Sequence, residues 1–143
     1  MRIQDVIQHK AQQAVVTISP DATVRELIAL LAEHNVGALV VSHDGESVTG
    51  IVSERDVVRR LHADEAVLDS AVSSIMTAEV RTCAGSDDLT DLMQLMTEHR
   101  IRHVPVVAEE KLTGIISIGD VVKNRIGELE FERDQLDSYV HQT

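Results

Sequence analysis

The chain has 143 residues, enough for one compact body or for two half-sized repeats sharing a core, because shorter units bury too little surface to stand alone. Thirteen Lys and Arg against twenty-four Asp and Glu leave a net charge of −11, which repels nucleic-acid phosphates and anionic membranes and argues against both as partners. With Phe131 and Tyr139 as the only aromatics the core must be aliphatic. The single Cys83 has no partner for an internal disulfide, and with no long apolar run the expected location is the cytoplasm.

In chain order the pattern repeats itself. Thr17–Val41 aligns with Thr82–Val106 at an offset of 65, with identities at Thr17/Thr82, Leu27/Leu92, Leu30/Leu95, Glu33/Glu98, His34/His99 and Val41/Val106. The offset then becomes 64, and Gly50-Ile51-Val52-Ser53-Glu54-Arg55-Asp56-Val57-Val58 lies over Gly114-Ile115-Ile116-Ser117-Ile118-Gly119-Asp120-Val121-Val122. Within each copy, Val24, Leu27, Ile28, Leu31 and Leu89, Leu92, Met93, Met96 recur at helical spacing, which predicts two core-facing helices. The first opens on a capping box, Thr23-Val24-Arg25-Glu26, and Asp88 and Asp91 hold the matching places in the second. Apolar runs at Ala38–Val41, Val48–Val52, Val104–Val107 and Leu112–Ile116, separated by Asp44-Gly45 or Glu109-Glu110, predict strand, turn, strand, and a further helix follows each pair. Each repeat therefore reads as strand, helix, strand, strand, helix. Arg60–Ile75 has no Gly or Pro stretch and reads as an ordered connection. Residues 1–66 form the first repeat with its lead-in, 67–126 the second, and 127–143 a C-terminal acidic amphipathic helix.

The Ser-x-x-Asp tetrads carry the chemistry. Ser53 and Ser117 fall between a strand and a helix start, where a hydroxyl, free amides and the positive helix end favour a phosphate. Asp56 and Asp120 lie one turn later, where a carboxylate can accept from both hydroxyls of a ribose. The same four residues also spell a capping box, which satisfies helix amides and nothing else. His34 and His99 are assigned to helix ends, since neither has a second ligand at zinc spacing, and Cys83 to the core as a small hydrophobe.

The doubled Gly-h-h-Ser-x-x-Asp block (h, apolar), the apolar strand before it and the Ser74-Ile75-Met76-Thr77 lead-in resemble the tandem CBS domain pair, named after cystathionine beta-synthase and here of the stand-alone bacterial type. The resemblance covers about residues 1–125. It implies an α/β fold of two pseudo-symmetric repeats packed through their sheets, with a C-terminal helix added. It also implies a regulatory, non-catalytic module that requires no cofactor and binds an adenine nucleotide, AMP, ADP or ATP, as a signal to an unidentified effector protein. Implied contacts in the first repeat are Thr17, Gly37, Ala38, Ser53, Arg55 and Asp56. In the second they are Thr82, Arg102, His103, Ser117, Ile118 and Asp120. Arg102-His103 replaces Gly37-Ala38, so the two grooves are expected to differ, with the one formed by Ser117, Asp120, Arg102 and His103 binding more tightly. The alternatives are a ligand-free dimerisation scaffold and a binder of another adenosyl ligand such as NAD or S-adenosylmethionine.

The tail carries one more signal. Val122, Ile126, Leu129, Arg133, Leu136 and Val140 recur at alternating spacings of 4 and 3, a heptad seam with one charged interruption. It predicts a helix extending beyond the module and a homodimer joined through it, or else a helix folded back on its own module.

Overall fold

The computed structural model describes residues 1–8 and 15–141 of the chain. A short helix, α1 (Ile3–Gln8), precedes the first repeat, which contains β1 (Thr17–Ile18), α2 (Val24–His34), β2 (Ala38–Val41), β3 (Gly50–Ser53) and α3 (Glu54–Ala63). β2 lies between β1, which it pairs in parallel, and β3, which it pairs antiparallel. The predicted capping box forms at α2: Thr23 accepts from the Glu26 amide at 3.1 Å and Glu26 accepts from the Thr23 amide at 3.0 Å. Between β2 and β3, Asp44 Oδ1 accepts hydrogen bonds from the amides of Ser47 and Glu46 and the hydroxyls of Ser47 and Ser42. These bonds, the Ser47 amide foremost, hold the Asp44 carboxyl well below the usual carboxylate range.

The connection after α3 is ordered, as its composition predicts. It forms two 3₁₀ turns, Glu65–Asp69 and Val72–Ser74. Its apolar residues Val67, Val72 and Ile75 pack into the first repeat's core beside Val24, Leu27, Leu39, Val52 and Val57. Conversely, Ile3 and Val6 of α1 are fully buried in the second repeat's core, beside Leu89, Leu92, Met96, Val104 and Ile116. Burying side chains of this kind contributes about 1.5–3 kcal/mol each. The sequential division at 66/67 thus differs from the division of the cores, because each repeat's lead-in docks on the other repeat.

Backbone hydrogen bonds repeat this exchange. The Val72 amide donates to Ala22 O at 2.7 Å and the Ile3 amide to Asp87 O at 3.0 Å; Ser73 donates to Pro20 O and Gln4 to Gly85 O; Val24 donates to Ser70 O and Leu89 to Met1 O. Each pair superposes under the repeat register, so the symmetry extends through the lead-ins. Gly50 and Gly114 mark where they cross. A Cβ on Gly50 would lie 2.6 Å from Met76 Sδ and 2.9 Å from Thr77 O, and one on Gly114 would lie 3.2 Å from Ile7 Cδ1.

The second repeat contains α4 (Leu89–His99), β4 (His103–Ala108), β5 (Lys111–Ser117) and the start of α5 (Ile118–Val140). Its expected opening strand is reduced to a single parallel bridge, Cys83 to Val106, and the sheet has two strands. Pro105 accounts for the loss. It occupies the place of Val40, the ladder partner of Thr17, and has no N–H to extend the pairing back to Thr82 and Arg81. Cys83 is buried at the position of Ile18 and directs its sulfur to Pro105 O at 3.7 Å, in keeping with a core role. Burial, with the nearby Asp87 charge, pushes its thiol up to about 12. A colourimetric thiol reagent is therefore expected to titrate no thiol in the folded protein at about pH 8, below the ordinary range of a free thiol, and one in denaturant.

The β4–β5 turn offers a second expectation. Ala108 pairs with Lys111, so Glu109 and Glu110 form a two-residue turn, and both have positive φ, 51° and 66°. That geometry favours Asn-Gly, and the Cβ of each Glu is a steric cost. The double substitution Glu109→Asn, Glu110→Gly should stabilise the fold by about 1–2 kcal/mol. A melting curve would show this as a rise of a few degrees, about 2–6 °C.

Candidate functional site

Each Ser-x-x-Asp tetrad lies at a strand-to-helix junction. Ser53 ends β3 and caps α3; Ser117 ends β5 and caps α5. The Ser53 amide donates to Asp56 Oδ2 at 2.8 Å, the Ser53 hydroxyl donates to the same oxygen at 3.1 Å, and the Asp56 amide donates to Ser53 Oγ at 3.4 Å. Ser117 and Asp120 repeat the box, with the Ser117 amide 2.9 Å from Asp120 Oδ2. The cap is therefore real in both copies. It does not exhaust the first one, because Asp56 Oδ1 and the Arg55 amide make no hydrogen bond among the described residues. A carboxylate oxygen and a first-turn amide are thus available side by side, an acceptor for hydroxyls and a donor for an anion.

These groups open into a cleft of about 410 Å³, within the size range of small-molecule sites. One wall is Gly37, Ala38, Ile51 and the Ser53–Asp56 tetrad with Arg59. A second is Thr77, Glu79, Val80 and Arg81. The third is His99–His103 from the second repeat. The two repeats touch here, since a Cβ on Gly37 would lie 3.4 Å from His103 Cε1.

Arg55, Arg59, Arg81, Arg100 and Arg102 converge on this cleft, against the carboxylates of Glu54, Asp56 and Glu79. Leaving both histidines uncounted, the cleft holds two more cations than anions in a chain of net charge −11. None of the five arginines pairs with a carboxylate among the described residues. Each wall brings one apolar residue, Ile51, Val80 or Ile101, into a cleft also lined by unpaired guanidinium groups, a lining that suits a planar group joined to an anion. Arg100 holds its place at a cost. It closes α4 with φ 54° and ψ 41°, where Asn35 closes α2 with φ 51° and ψ 49°. Asn tolerates that left-handed conformation, whereas for Arg it costs about 1 kcal/mol.

Of the residues singled out in the sequence, Gly37, Ala38, Ser53, Arg55, Asp56, Arg102 and His103 share the cleft, and Thr17, Thr82, Ser117, Ile118 and Asp120 do not line it. Thr17 sits in β1 opposite Val40, and Thr82 is exposed beside the Cys83 bridge. The expected grouping of Arg102 and His103 with the second tetrad has a backbone counterpart, since His103 lies opposite Ser117 in the ladder and the Ile118 amide donates to Arg102 O at 2.8 Å. In the cleft, however, both residues face the first tetrad, because positions 37–38 and 102–103 meet where the repeats come together. Under the repeat register of the lead-ins, Thr77–Arg81 corresponds to residues 8–12, of which 9–12 lie outside the described residues.

Arg59, Arg81, Arg100 and His99 were not anticipated. Arg59 falls four residues after Arg55, on the same helix face, a spacing that could have revealed it. His99 is in the last turn of α4, as expected, and also lines the cleft. Among the described residues no group of three or more His, Cys, Asp or Glu could hold a metal ion, and no helix is long and apolar enough to cross a membrane.

Comparison with known proteins agrees with this fold. The family model for the CBS domain matches twice, at residues 3–63 and 72–127. The CBS domain-containing protein CBSX3, mitochondrial, of Arabidopsis thaliana is 36% identical over 146 residues, covering 96% of this chain and 71% of that protein. Among solved structures, the CBS-domain containing protein ATU1752 from Agrobacterium tumefaciens matches with a TM-score of 0.83 and 40% identity, over 87% of this chain and 99% of that one. The CBS domain pair of protein MJ0100, solved in complex with 5-methylthioadenosine and S-adenosyl-L-methionine, shares the fold, with a TM-score of 0.79 and 20% identity over 90% of this chain and 98% of that one. With its two matched repeats, mixed α/β architecture and added C-terminal helix, the chain belongs to the CBS domain family.

Proposed function

We propose that this protein is a regulatory module that binds an adenine nucleotide, AMP, ADP or ATP, in the cleft between its repeats and does no chemistry on it. The observation that carries the reading is the meeting of Asp56 Oδ1, the Arg55 amide and five unpaired arginines around one concave site. Asp56 would accept from the ribose hydroxyls, the α3 N-terminus and the arginines would take the phosphates, and Ile51, Val80 and Ile101 would cover the base. That MJ0100, of the same fold, holds two adenosyl compounds supports room for such a ligand in this architecture. Ser53 favours binding over catalysis, because its hydroxyl is committed to the helix cap, accepting from the Asp56 amide while Asp56 Oδ2 is held by the Ser53 amide.

Regulation follows from the origin of the walls. A ligand touching Ser53–Arg59 and His99–His103 together favours the arrangement of the repeats that brings them closest, by no more than its differential affinity. The output then passes to an effector protein in the same compartment, for which we propose the cytoplasm.

The number of phosphates provides the test. Affinity measured by calorimetry should rise from adenosine through AMP to ADP and ATP, and the gain should shrink as salt is raised from about 50 to about 300 mM. Adenosine, AMP and ATP all failing to bind would leave the ligand-free scaffold as the better reading. Tighter binding of S-adenosylmethionine than of ATP would transfer the site to the adenosyl class without polyphosphate.

A further inference from the structure

α5 runs on as one helix to Val140, well past the module, and its predicted seam is uncovered: Val122, Ile126, Leu129, Leu136 and Val140 are 48%, 50%, 49%, 65% and 67% exposed. The alternative of a helix folded back on its own module is therefore not what the structure shows. Only the first turns of α5 contact the body, against α1, α4 and β5. Near the end of the covered stretch, which closes with half-buried Glu128, the helix contains Gly127, around which a Cβ would meet nothing within 4 Å, so packing gives no reason for a helix-weakening glycine. A projecting stretch of about twelve residues, Leu129 to Val140, is marginal as a helix in water without something to cover its apolar stripe.

We infer that the cover is the same helix of a second copy, running antiparallel and centred near Phe131. With Val122, Leu129 and Leu136 as d positions and Ile126, Arg133 and Val140 as a positions, this register sets Val122 against the partner's Val140, Ile126 against the partner's Leu136, and Arg133 against the partner's Leu129. It overlaps about nineteen residues of each helix, about 28 Å.

Charge selects the direction. In a parallel pair the two Arg133 side chains would share one core layer, and Glu132 would face the partner's Asp137 twice. In the antiparallel pair Arg133 lies beside the partner's Glu130, and Lys123 lies beside the partner's Asp137, each twice by symmetry. Two like-charged pairs remain, Glu130 and Glu132 each with its own copy, and a parallel pair would gain Arg125 beside the partner's Glu130, but only the antiparallel pair separates the two Arg133 side chains and gives each a carboxylate. Arg133 is available for this role, because its contact with Asp134 is an exposed 3.4 Å pair that exchanges at little cost.

The full-length chain tests the proposal. Sedimentation equilibrium should give a dimer, and Leu129→Asp with Leu136→Asp should raise its dissociation constant about 100-fold or more, since four leucines lose their burial per dimer. Phe131→Asp, on the far face, should leave it unchanged. Mild oxidation should link the Ile126→Cys, Leu136→Cys double variant into a covalent dimer and leave the Leu136→Cys single variant unlinked, with buried Cys83 silent in both. A wild type that stays monomeric at about 100 μM, a concentration at which a stable helical pair is associated, a Phe131→Asp effect equal to that of the leucines, or efficient linking of the Leu136→Cys single variant would each overturn it.

Discussion

Replacing Asp56 with alanine is expected to weaken adenine-nucleotide binding about 100-fold or more. Two hydroxyl donors to one carboxylate contribute about 1.5–3 kcal/mol each, and the facing wall, His99–His103, has no carboxylate to replace it. Asp56 also closes the α3 cap, so the same substitution should cost about 0.5–2 kcal/mol of stability. Asp56→Asn separates the two roles. An amide oxygen still accepts from the Ser53 amide and holds the cap, while the charge that strengthens the ribose contact is gone. Its melting temperature should stay close to wild type and its affinity should fall at least about tenfold, the loss of one charge-assisted bond. Calorimetry and a melting curve on the two variants check this; parallel losses of stability and affinity would reduce Asp56 to a cap.

Gly50→Ala is the second large effect. The new Cβ would stand 2.6 Å from Met76 Sδ and 2.9 Å from the carbonyl of Thr77, and a backbone oxygen cannot step aside as a side-chain end does. The Thr77 carbonyl is also fixed by the Ile51 amide at 3.0 Å, and its own amide is returned to Ile51 O at 2.9 Å. Overpacking of this kind costs about 1–3 kcal/mol. Thr77 begins the cleft wall that continues through Arg81, so the displacement should also lower nucleotide affinity. Gly114→Ala is milder, since its nearest neighbour, at 3.2 Å, is the terminal methyl of Ile7. Thermal melts should rank wild type above Gly114→Ala and Gly114→Ala above Gly50→Ala.

The fold was largely legible because the duplicated pattern states each element twice. The α2 box, the α3 and α5 starts and the ordered connection all follow from residues whose local chemistry and tertiary role agree. The crossing of the lead-ins was not legible. Ile3-x-x-Val6 and Val72-x-x-Ile75 announce buried residues, but periodicity does not say which core buries them. The short opening strand of the second repeat was lost to Pro105, whose missing donor is visible in the sequence only once its partner is known. The same limit shaped the candidate site. Ser53 and Asp56 were found through their motif, whereas Arg59, Arg81 and Arg100 belong to three separate segments that only the packing of the repeats brings together. Arg102 and His103 were recognised as chemically distinctive, yet their cleft partners are in the other repeat.

The most direct measurement is a calorimetric titration of AMP into the wild-type chain and the Arg102→Ala variant at one salt concentration. Arg102 comes from the second repeat and the Ser53–Asp56 tetrad from the first, so one substitution tests both the anion site and its construction across the repeats. Loss of a guanidinium–phosphate bond predicts affinity at least about tenfold weaker in the variant, with an unchanged melting temperature. Equal affinities in the two proteins would contradict a nucleotide site in this cleft.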